Sequence, residues 1–328
     1  MKYRTLGRSS LEVSEIGFGG WALGGGWGTQ EDADSAAALH RAIDLGLNFI
    51  DTAEGYGSGR SERVIGQVVK ERSERIYVAT KTPPREGPWP PSPYCLAADR
   101  YPEDYLRANV EERLKNLGTD CLDLLQLHTW TRAWNRDPRP LEVLRKLREE
   151  GKIRRIGIST PEQDQNCVVD LMRRGYLDVV QVIYNLFEQE PAAEILPVAK
   201  ETGTGVIVRV VFDEGILTGK YRRGHRFPEN DFRSKYFEGD RLDRAVDRVE
   251  QVRADIAEAG LDRGYGLADV ALKFALAQTA VSTVIPGMRN PQQVEWNLRA
   301  SEKPDLPEQL LLKLRRHHWL RGVWYSGK

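Results

Sequence analysis

The feature that most constrains the fold of this chain is a regular alternation of short apolar runs with longer segments of helical period. Most of the short runs are apolar on successive positions and rich in β-branched residues, which is typical of strands buried on both faces. Eight runs are predicted as strands, at residues 15–20, 48–52, 76–81, 122–128, 153–159, 179–185, 206–212 and 281–287. Strands that alternate with helices in this way favour a parallel sheet covered by helices.

Three of the intervening segments carry clear helix start and stop signals. Residues 31–46 begin with acidic side chains and end at glycine, as the helix dipole and the C-cap preference favour. Residues 102–118 and 140–151 each open with proline followed by acidic residues, and each closes on glycine. Eight strand–helix units, without a sequence repeat or a low-complexity linker, predict an α/β fold. The prediction is a (β/α)8 TIM barrel forming a single domain over residues 1–328.

Two connections are too long to be simple turns. Residues 82–101 are rich in proline and aromatic side chains, and residues 213–240 follow the seventh predicted strand. Both are predicted to lie as long loops at the C-terminal face of the barrel, where enzymes of this fold build their sites.

Composition excludes several classes of function. Lysine plus arginine equals aspartate plus glutamate at 48 each, so no net charge favours nucleic acid or an anionic membrane. The N-terminus has no apolar core of a signal peptide, and no apolar stretch approaches the ~18 residues that span a bilayer. The three cysteines are far apart and match no zinc pattern, so we expect no metal. A cytoplasmic protein, monomeric or homo-oligomeric, is the expectation.

Four ionisable side chains are predicted to converge at the mouth of the barrel. Asp51, Lys81 and His128 end the second, third and fourth strands, which are neighbours in a barrel, and Tyr56 follows Asp51 on the next loop. Each alone has an ordinary structural explanation as a cap, a packed ring or a surface charge. Four meeting at one place by chance is much less expected.

The chemistry of these four residues suits proton transfer to oxygen. A tyrosine with pKa ≈ 10 is a poor acid at neutral pH, and an ammonium within ~4–6 Å lowers that pKa. A carboxylate keeps the lysine charged, and a histidine can hydrogen-bond a substrate carbonyl. Such a site protonates an oxygen while the adjoining carbon accepts a hydride.

The chain resembles the aldo-keto reductase superfamily, whose Asp, Tyr, Lys and His tetrad matches Asp51, Tyr56, Lys81 and His128. The likeness runs in order from "IGFGGWALGG" through "IDTAEGYGSGRSERVIG", "VATK", "LDLLQLH", "GKIRRIGIS", "QVIYN" and "GILTGKY" to "VIPGMRNPQQVEWNL". The resemblance implies a cytosolic reductase that transfers hydride from NADPH to an aldehyde or ketone.

The resemblance also implies where NADP(H) binds. No G-x-G-x-x-G follows the first strand, so a Rossmann site is disfavoured. Ser159 and Gln181 match carboxamide-binding positions, the segment 212–220 matches the pyrophosphate loop, and Arg289 is assigned to the 2′-phosphate, which its fork can bind with two bonds. The full set of implied cofactor positions is Gly20, Trp21, Asp51, Ser159, Thr160, Gln181, Arg209, Phe212, Gly215, Leu217, Gly219, Lys220, Arg233, Gly287, Arg289, Gln293 and Asn297.

Several positions depart from the family pattern. Thr160 stands where many relatives have asparagine, Trp296 where a glutamate is common, and Val210–Val211 where Ser-Pro is common. Arg209 occupies a position that commonly carries an aromatic ring stacked on nicotinamide. Arg209 could stack there and favour NADPH over the cationic NADP⁺, or it could point aside to a carboxylate or an anionic substrate group.

The predicted substrate site has aromatic walls. Trp21, Trp89 and Trp130, with Tyr56 and His128, are predicted to contact a small carbonyl or alcohol substrate, possible classes being sugars, ring ketones and aryl aldehydes. Trp134 and Tyr94 are further candidates for this wall. Two rivals to a reductase are an NADPH-binding sensor with little turnover and a Schiff-base lyase that uses Lys81. A metal hydrolase is disfavoured because only one histidine, His128, ends a strand.

Overall fold

The centre of the molecule is a sheet of eight parallel strands that follow one another in chain order. The computed structural model describes residues 1–25, 28–89 and 91–319. The sheet strands are β3 (Phe18–Gly19), β4 (Phe49–Asp51), β5 (Tyr77–Thr82), β6 (Leu124–Leu127), β7 (Ile156–Ser159), β8 (Val179–Ile183), β9 (Gly205–Arg209) and β10 (Val281–Val284). Gly17 N donates to Val284 O (2.8 Å) and Gly19 N to Pro286 O (3.0 Å), so the first and last strands join and close a barrel.

Helices surround the barrel and cover its outer face. They are α1 (Asp32–Asp44), α2 (Arg60–Lys70), α3 (Ala97–Arg100), α4 (Glu103–Leu117), α5 (Arg139–Glu149), α6 (Val169–Arg173), α7 (Ile195–Thr202), α8 (Phe232–Tyr236), α9 (Arg241–Glu258), α10 (Leu267–Leu276), α11 (Pro291–Leu298) and α12 (Glu308–Leu314). The predicted (β/α)8 class and its eight strands are therefore confirmed. The three helices predicted from start and stop signals correspond to α1, α4 and α5.

An N-terminal hairpin, which was not predicted, precedes the barrel. Strands β1 (Tyr3–Thr5) and β2 (Glu12–Ser14) pair antiparallel, and Leu6 and Val13 pack with inward-facing barrel residues such as Phe49. A second, larger core lies between the sheet and the helices. The hairpin escaped prediction because its strands have only three residues each and carry exposed polar side chains.

The two long connections contain short helices of their own. The connection at 82–101 includes α3, and that at 213–240 includes a 3₁₀ turn at Ile216–Thr218 and α8. Both begin at the C-terminal ends of strands, as predicted. No helix in the described ranges has both the length and the apolar character needed to cross a membrane.

Candidate active site

Lys81 is the centre of a compact polar cluster at the C-terminal ends of the strands. Its Nζ donates to Asp51 Oδ2 (2.6 Å), to Thr52 O (2.8 Å) and to Tyr56 Oη (3.2 Å). The Lys81 side chain is fully buried and Asp51 is nearly so. The structure therefore brings three of the four predicted residues into one hydrogen-bonded chain.

The parallel register and a tight loop place these side chains together. Asp51 pairs with Ala79 across β4 and β5, which puts the end of β4 beside Lys81 two residues further on. The loop after β4 folds back as Tyr56 N donates to Ala53 O (3.1 Å). Gly24 packs so closely on this loop that a Cβ there would lie 2.5 Å from the Tyr56 carbonyl carbon. Glycine at 24 is thus required for the position of the phenol.

Burial and charge act in opposite directions on the two central groups. Burial lowers the pKa of Lys81, but the Asp51 carboxylate and the Tyr56 hydroxyl outweigh it and raise that pKa above its ordinary value. Burial raises the pKa of Tyr56, and the Lys81 charge, which lowers it, does not cancel that effect. The Lys81 ammonium thus lowers the pKa of the phenol, as expected, but desolvation of the phenolate outweighs it, so the net direction of the Tyr56 pKa is upward.

His128 lies beside the phenol and between two aromatic walls. Its ring centroid is 6.0 Å from that of Tyr56 and 5.9 Å from that of Trp89, and the ring centroid of Trp21 lies 5.0 Å from that of Tyr56. Burial lowers the pKa of His128 well below its ordinary value, and the charges of Lys81 and Arg209 lower it further. The imidazole is therefore neutral at physiological pH.

Asp51 has two partners that sequence reasoning missed in this role. Gln181 Nε2 donates to Asp51 Oδ1 at 2.7 Å, and Gln126 Nε2 lies 3.4 Å from the same oxygen. Both glutamines are buried in barrel strands. A polar side chain inside an otherwise apolar strand was the available signal for them, since buried polar groups need partners.

A cavity of about 780 Å³ opens beside the cluster. Sites for small ligands and cofactors commonly fall in the range of about 300–1,000 Å³. The predicted site residues that line it are Gly20, Trp21, Asp51, Tyr56, Trp89, His128, Ser159, Thr160, Gln181, Arg209, Phe212, Gly215, Lys220, Arg233, Gly287, Arg289, Gln293 and Asn297. Lys81 lies behind Tyr56, and Gly219 and Leu217 lie outside the lining, Leu217 being fully buried.

Trp130 does not belong to the substrate wall, and that expectation is wrong. Its side chain is fully buried, its indole donates to Asn135 Oδ1 (2.8 Å), and its ring packs edge-on against Trp134. Trp134 is buried as well, while Tyr94 is 96% exposed and away from the cavity. Besides Tyr56 and His128, five aromatic residues were candidates for the substrate wall. Of these five, only Trp21 and Trp89 line the cavity, and both are partly exposed.

Basic side chains gather at the other part of the cavity. Arg233 bonds the Asp231 carboxylate (2.5 and 2.9 Å) and the Tyr221 hydroxyl (2.6 Å). Burial lowers the pKa of Lys220, and the charges of Arg233 and Arg289 lower it further, since the three cations are close together. Such a group of cations favours an anionic ligand.

Arg289 is held across the mouth by the loop that follows β3. Its Nε donates to Gln30 Oε1 (2.8 Å) and its Nη2 donates to Thr29 O. Gln30 Nε2 donates in return to Arg289 O (2.9 Å). This pairing was not predicted, because it joins residues more than 250 positions apart.

Arg209 points to a carboxylate beside the cavity. Its Nη1 lies 3.6 Å from Glu162 Oε1, and its Nη2 donates to Thr160 O at 3.0 Å. Of the alternatives left open for Arg209, this geometry favours the reading in which the guanidinium turns to a neighbouring carboxylate. Glu162 lines the same cavity and was missed.

The fold and the cluster together define a class of protein: a (β/α)8 barrel that places a buried ammonium and a phenol beside a ligand-sized cavity. The family model described as the aldo/keto reductase family matches residues 15–317, so the chain belongs to this family of oxidoreductases, which use nicotinamide cofactors.

Relatives and solved structures agree with this assignment. The aldo-keto reductase YhdN of Bacillus subtilis is 31% identical, over 93% of this chain and 92% of its own. The NADH-specific methylglyoxal reductase of Escherichia coli is 28% identical, over 92% and 93%. The holo form of aldo-keto reductase AKR11C1 from Bacillus halodurans superposes with a TM-score of 0.76 at 27% identity, covering 97% of this chain and 98% of that one. Glycerol dehydrogenase AKR11B4 from Gluconobacter oxydans gives 0.78 at 26% identity, covering 96% and 94%.

Proposed function

We propose that this protein is an NADPH-dependent reductase that converts an aldehyde or ketone, such as a sugar or another polyol-type carbonyl, to the alcohol. The observation that carries the proposal is the chain of bonds from Asp51 through the Lys81 ammonium to the hydroxyl of Tyr56, a residue that lines the cavity. A phenol held in this way can give up a proton and have the resulting charge stabilised by the ammonium.

The lining of the cavity supports a phosphorylated dinucleotide as the proposed cofactor. Lys220, Arg233 and Arg289 offer cations for phosphate groups, and Ser159 and Gln181 offer hydroxyl and amide groups near Tyr56 for a carboxamide. The cofactor supplies the hydride when it is bound. Arg289 supports NADPH over NADH because a guanidinium recognises a 2′-phosphate, although one relative in Escherichia coli is named as NADH-specific.

The residues of this chain then perform the proton transfer. Neutral His128 donates a hydrogen bond from one ring nitrogen to the substrate carbonyl oxygen, which orients it. The Tyr56 hydroxyl donates its proton to that oxygen as the carbon accepts the hydride, and the new O–H bond completes the alcohol. Lys81 stabilises the phenolate that is left, and Asp51 keeps Lys81 charged.

The substrate is proposed to be small and oxygen-rich. Trp21 and Trp89 flank Tyr56 and His128, and aromatic faces can cover the C–H surface of a polyol. The names of two relatives support this class, since one is a methylglyoxal reductase and another a glycerol dehydrogenase.

The test is a substrate screen followed by NADPH absorbance, with Tyr56→Phe as the central variant. We expect Tyr56→Phe to lower kcat by at least about 10²-fold, the usual contribution of a general acid, and to leave NADPH binding unchanged. Tyr184→Phe is the matched control, because Tyr184 is also a buried tyrosine but its hydroxyl accepts a bond from Gln278 outside the cavity. Normal turnover by Tyr56→Phe would refute the assignment. A wild-type protein that binds NADPH but oxidises none of it in a single turnover would instead be a sensor or regulatory subunit.

A further inference from the structure

Lys81 stands on β5 between two threonines whose side chains point the opposite way. Since side chains alternate along a strand, Lys81 faces the barrel interior while Thr80 and Thr82 face the helices. Thr80 Oγ1 donates to Glu62 Oε1 on α2 at 2.5 Å, and Thr82 Oγ1 donates to Asn109 Oδ1 on α4 at 2.7 Å. All five side chains are buried. Strand β5 is thus hydrogen-bonded to α2 through the residue before Lys81 and to α4 through the residue after it.

A buried ion pair connects Glu62 and Asn109, the two acceptors of these threonine hydroxyls. Glu62 Oε2 lies 2.7 Å from Arg113 Nε, and neither side chain has any solvent exposure. Arg113 Nη1 donates to Asn109 Oδ1 (3.1 Å), and Asn116 donates to Glu62 Oε2 (2.9 Å). A continuous series of polar contacts therefore leads from Thr80 through Glu62 and Arg113 to Asn109, and Asn109 in turn contacts Thr82 on the other side of Lys81.

Stability alone is a weak explanation for this pair. Removing two charges from water costs several kcal/mol per ion, and apolar side chains of similar volume are often as stabilising or more so. Burial raises the pKa of Glu62 even though the Arg113 charge opposes it. An ion pair in this place is better explained by the direction and length it imposes on its bonds.

The helix that carries Glu62 also fastens the neighbouring strand. Ser61, the residue before Glu62, accepts a bond from Thr52 Oγ1 at 2.8 Å and donates to Gly20 O at 3.0 Å. Thr52 directly follows Asp51. The first turn of α2 is therefore bonded to the residues adjoining both members of the Asp51–Lys81 pair.

We propose that Glu62 and Arg113 are positioning residues which, through Thr80 and Thr82, hold the Lys81 ammonium at its 3.2 Å separation from the Tyr56 hydroxyl. The inference rests on the proposed proton donation by Tyr56. A displacement of about 1 Å at a reacting group can cost about 10²-fold in rate, so a small shift of β5 has a measurable effect.

The experiment leaves the ion pair intact and removes only its two links to β5. Replacing Glu62 or Arg113 would strand a buried charge and endanger folding. Thr80→Val and Thr82→Val, singly and together, keep the side-chain shape and delete one hydroxyl each. Thr283→Val is the matched control, because Thr283 is a buried threonine of β10 whose hydroxyl has no hydrogen-bond partner among the described residues.

Two readouts separate positioning from stability. In the double variant we expect kcat for carbonyl reduction to fall by about tenfold or more, with KM for NADPH within about twofold of wild type. The second readout needs no turnover. The tyrosinate absorbance of each protein is measured against pH, and the absorbance of the same protein carrying Tyr56→Phe is subtracted. The difference follows the ionisation of Tyr56, and the midpoint of this titration moves to higher pH if Lys81 has moved away from the phenol.

The control and the outcomes are distinct. Thr283→Val is expected to match wild type in both readouts. The inference would be overturned if the double variant had the same kcat and the same Tyr56 titration midpoint as Thr283→Val. Even if urea unfolded the double variant more easily, the Glu62–Arg113 pair would then have only a structural role. If wild type reduces no carbonyl but the titration shifts as described, the proposed function fails and the positioning of Lys81 stands.

Discussion

Tyr56 and His128 lie side by side, and the barrel acts on their protonation in ways that keep both neutral. Burial raises the pKa of Tyr56, so the hydroxyl retains its proton at neutral pH. Burial, aided by the charges of Lys81 and Arg209, lowers the pKa of His128, so the ring carries no charge there. A protonated phenol can act as an acid, and a neutral imidazole can donate one hydrogen bond without repelling Lys81.

The pH dependence of reduction follows from these two shifts. Because the pKa of His128 lies well below 6.5, kcat should stay level as the pH passes 6.5. Because the pKa of Tyr56 lies above 10.0, kcat should fall only when the pH exceeds that value and the phenol loses its proton. The measurement is kcat against pH under saturating substrates. A fall in kcat below about pH 6.5 would contradict the expected neutral state of His128 if His128→Gln removed that fall. His40→Gln, at a partly exposed histidine, is the control and should not change the profile.

Helix α11 shows how a single element presents several residues to the cavity. Asn290 is its N-cap and accepts a bond from Gln293 N (2.9 Å), while Gln293 Oε1 accepts from Arg289 N (2.9 Å). Pro291 occupies the first turn, where its missing N–H costs nothing. These bonds set the start of the helix, and with it the placement of Gln293 and Asn297 on the cavity wall.

Removing the cap should weaken this element measurably. We expect Asn290→Ala to lower the free energy of unfolding by about 1 kcal/mol, since the Gln293 N–H then loses its acceptor. Asn290→Asp is the control, because a carboxylate caps the same N–H and suits the helix dipole. Urea unfolding followed by circular dichroism provides the comparison. An aspartate variant as unstable as the alanine variant would show that the cap bond is not the cause.

At the scale of the whole molecule, the cavity joins parts of the chain that are distant in sequence. Trp21 and Tyr56 from the first half of the chain line one part, while Arg233 and Arg289 from the second half line another. The bonds between Arg289 and residues 29–30 connect the two halves across the mouth. A ligand that fills this cavity therefore contacts most of the barrel and should stabilise the molecule as a unit.

Cofactor choice can be measured as global stability. A ligand at 100 times its Kd adds about 2.7 kcal/mol to the free energy of unfolding. We expect NADPH to raise Tm more than NADH at equal concentration, because Arg289 interacts with the additional phosphate. Arg289→Leu should remove the difference between the two cofactors, whereas Arg173→Leu, at an exposed arginine on α6, should preserve it. Equal shifts with the two cofactors in wild type would argue against the assigned role of Arg289.

Local patterns in the sequence were sufficient for the barrel and for the polar residues at its strand ends. Strand and helix periods, acidic or proline helix starts and glycine stops depend on neighbours within a few positions, so they can be read directly. The convergence of Asp51, Lys81 and His128 followed from those periods, because consecutive parallel strands lie side by side and end at one face.

The tertiary structure alone decided the partners and the protonation of the site. Gln181 bonds Asp51, Arg209 turns to Glu162, and Trp130 is buried against Trp134 instead of lining the cavity. No local pattern distinguishes these outcomes, since an inward polar side chain or a tryptophan after a strand can meet several neighbours. The raised pKa of Tyr56 also depends on how completely the closed barrel removes water from the phenol, and desolvation is a property of the whole packed structure.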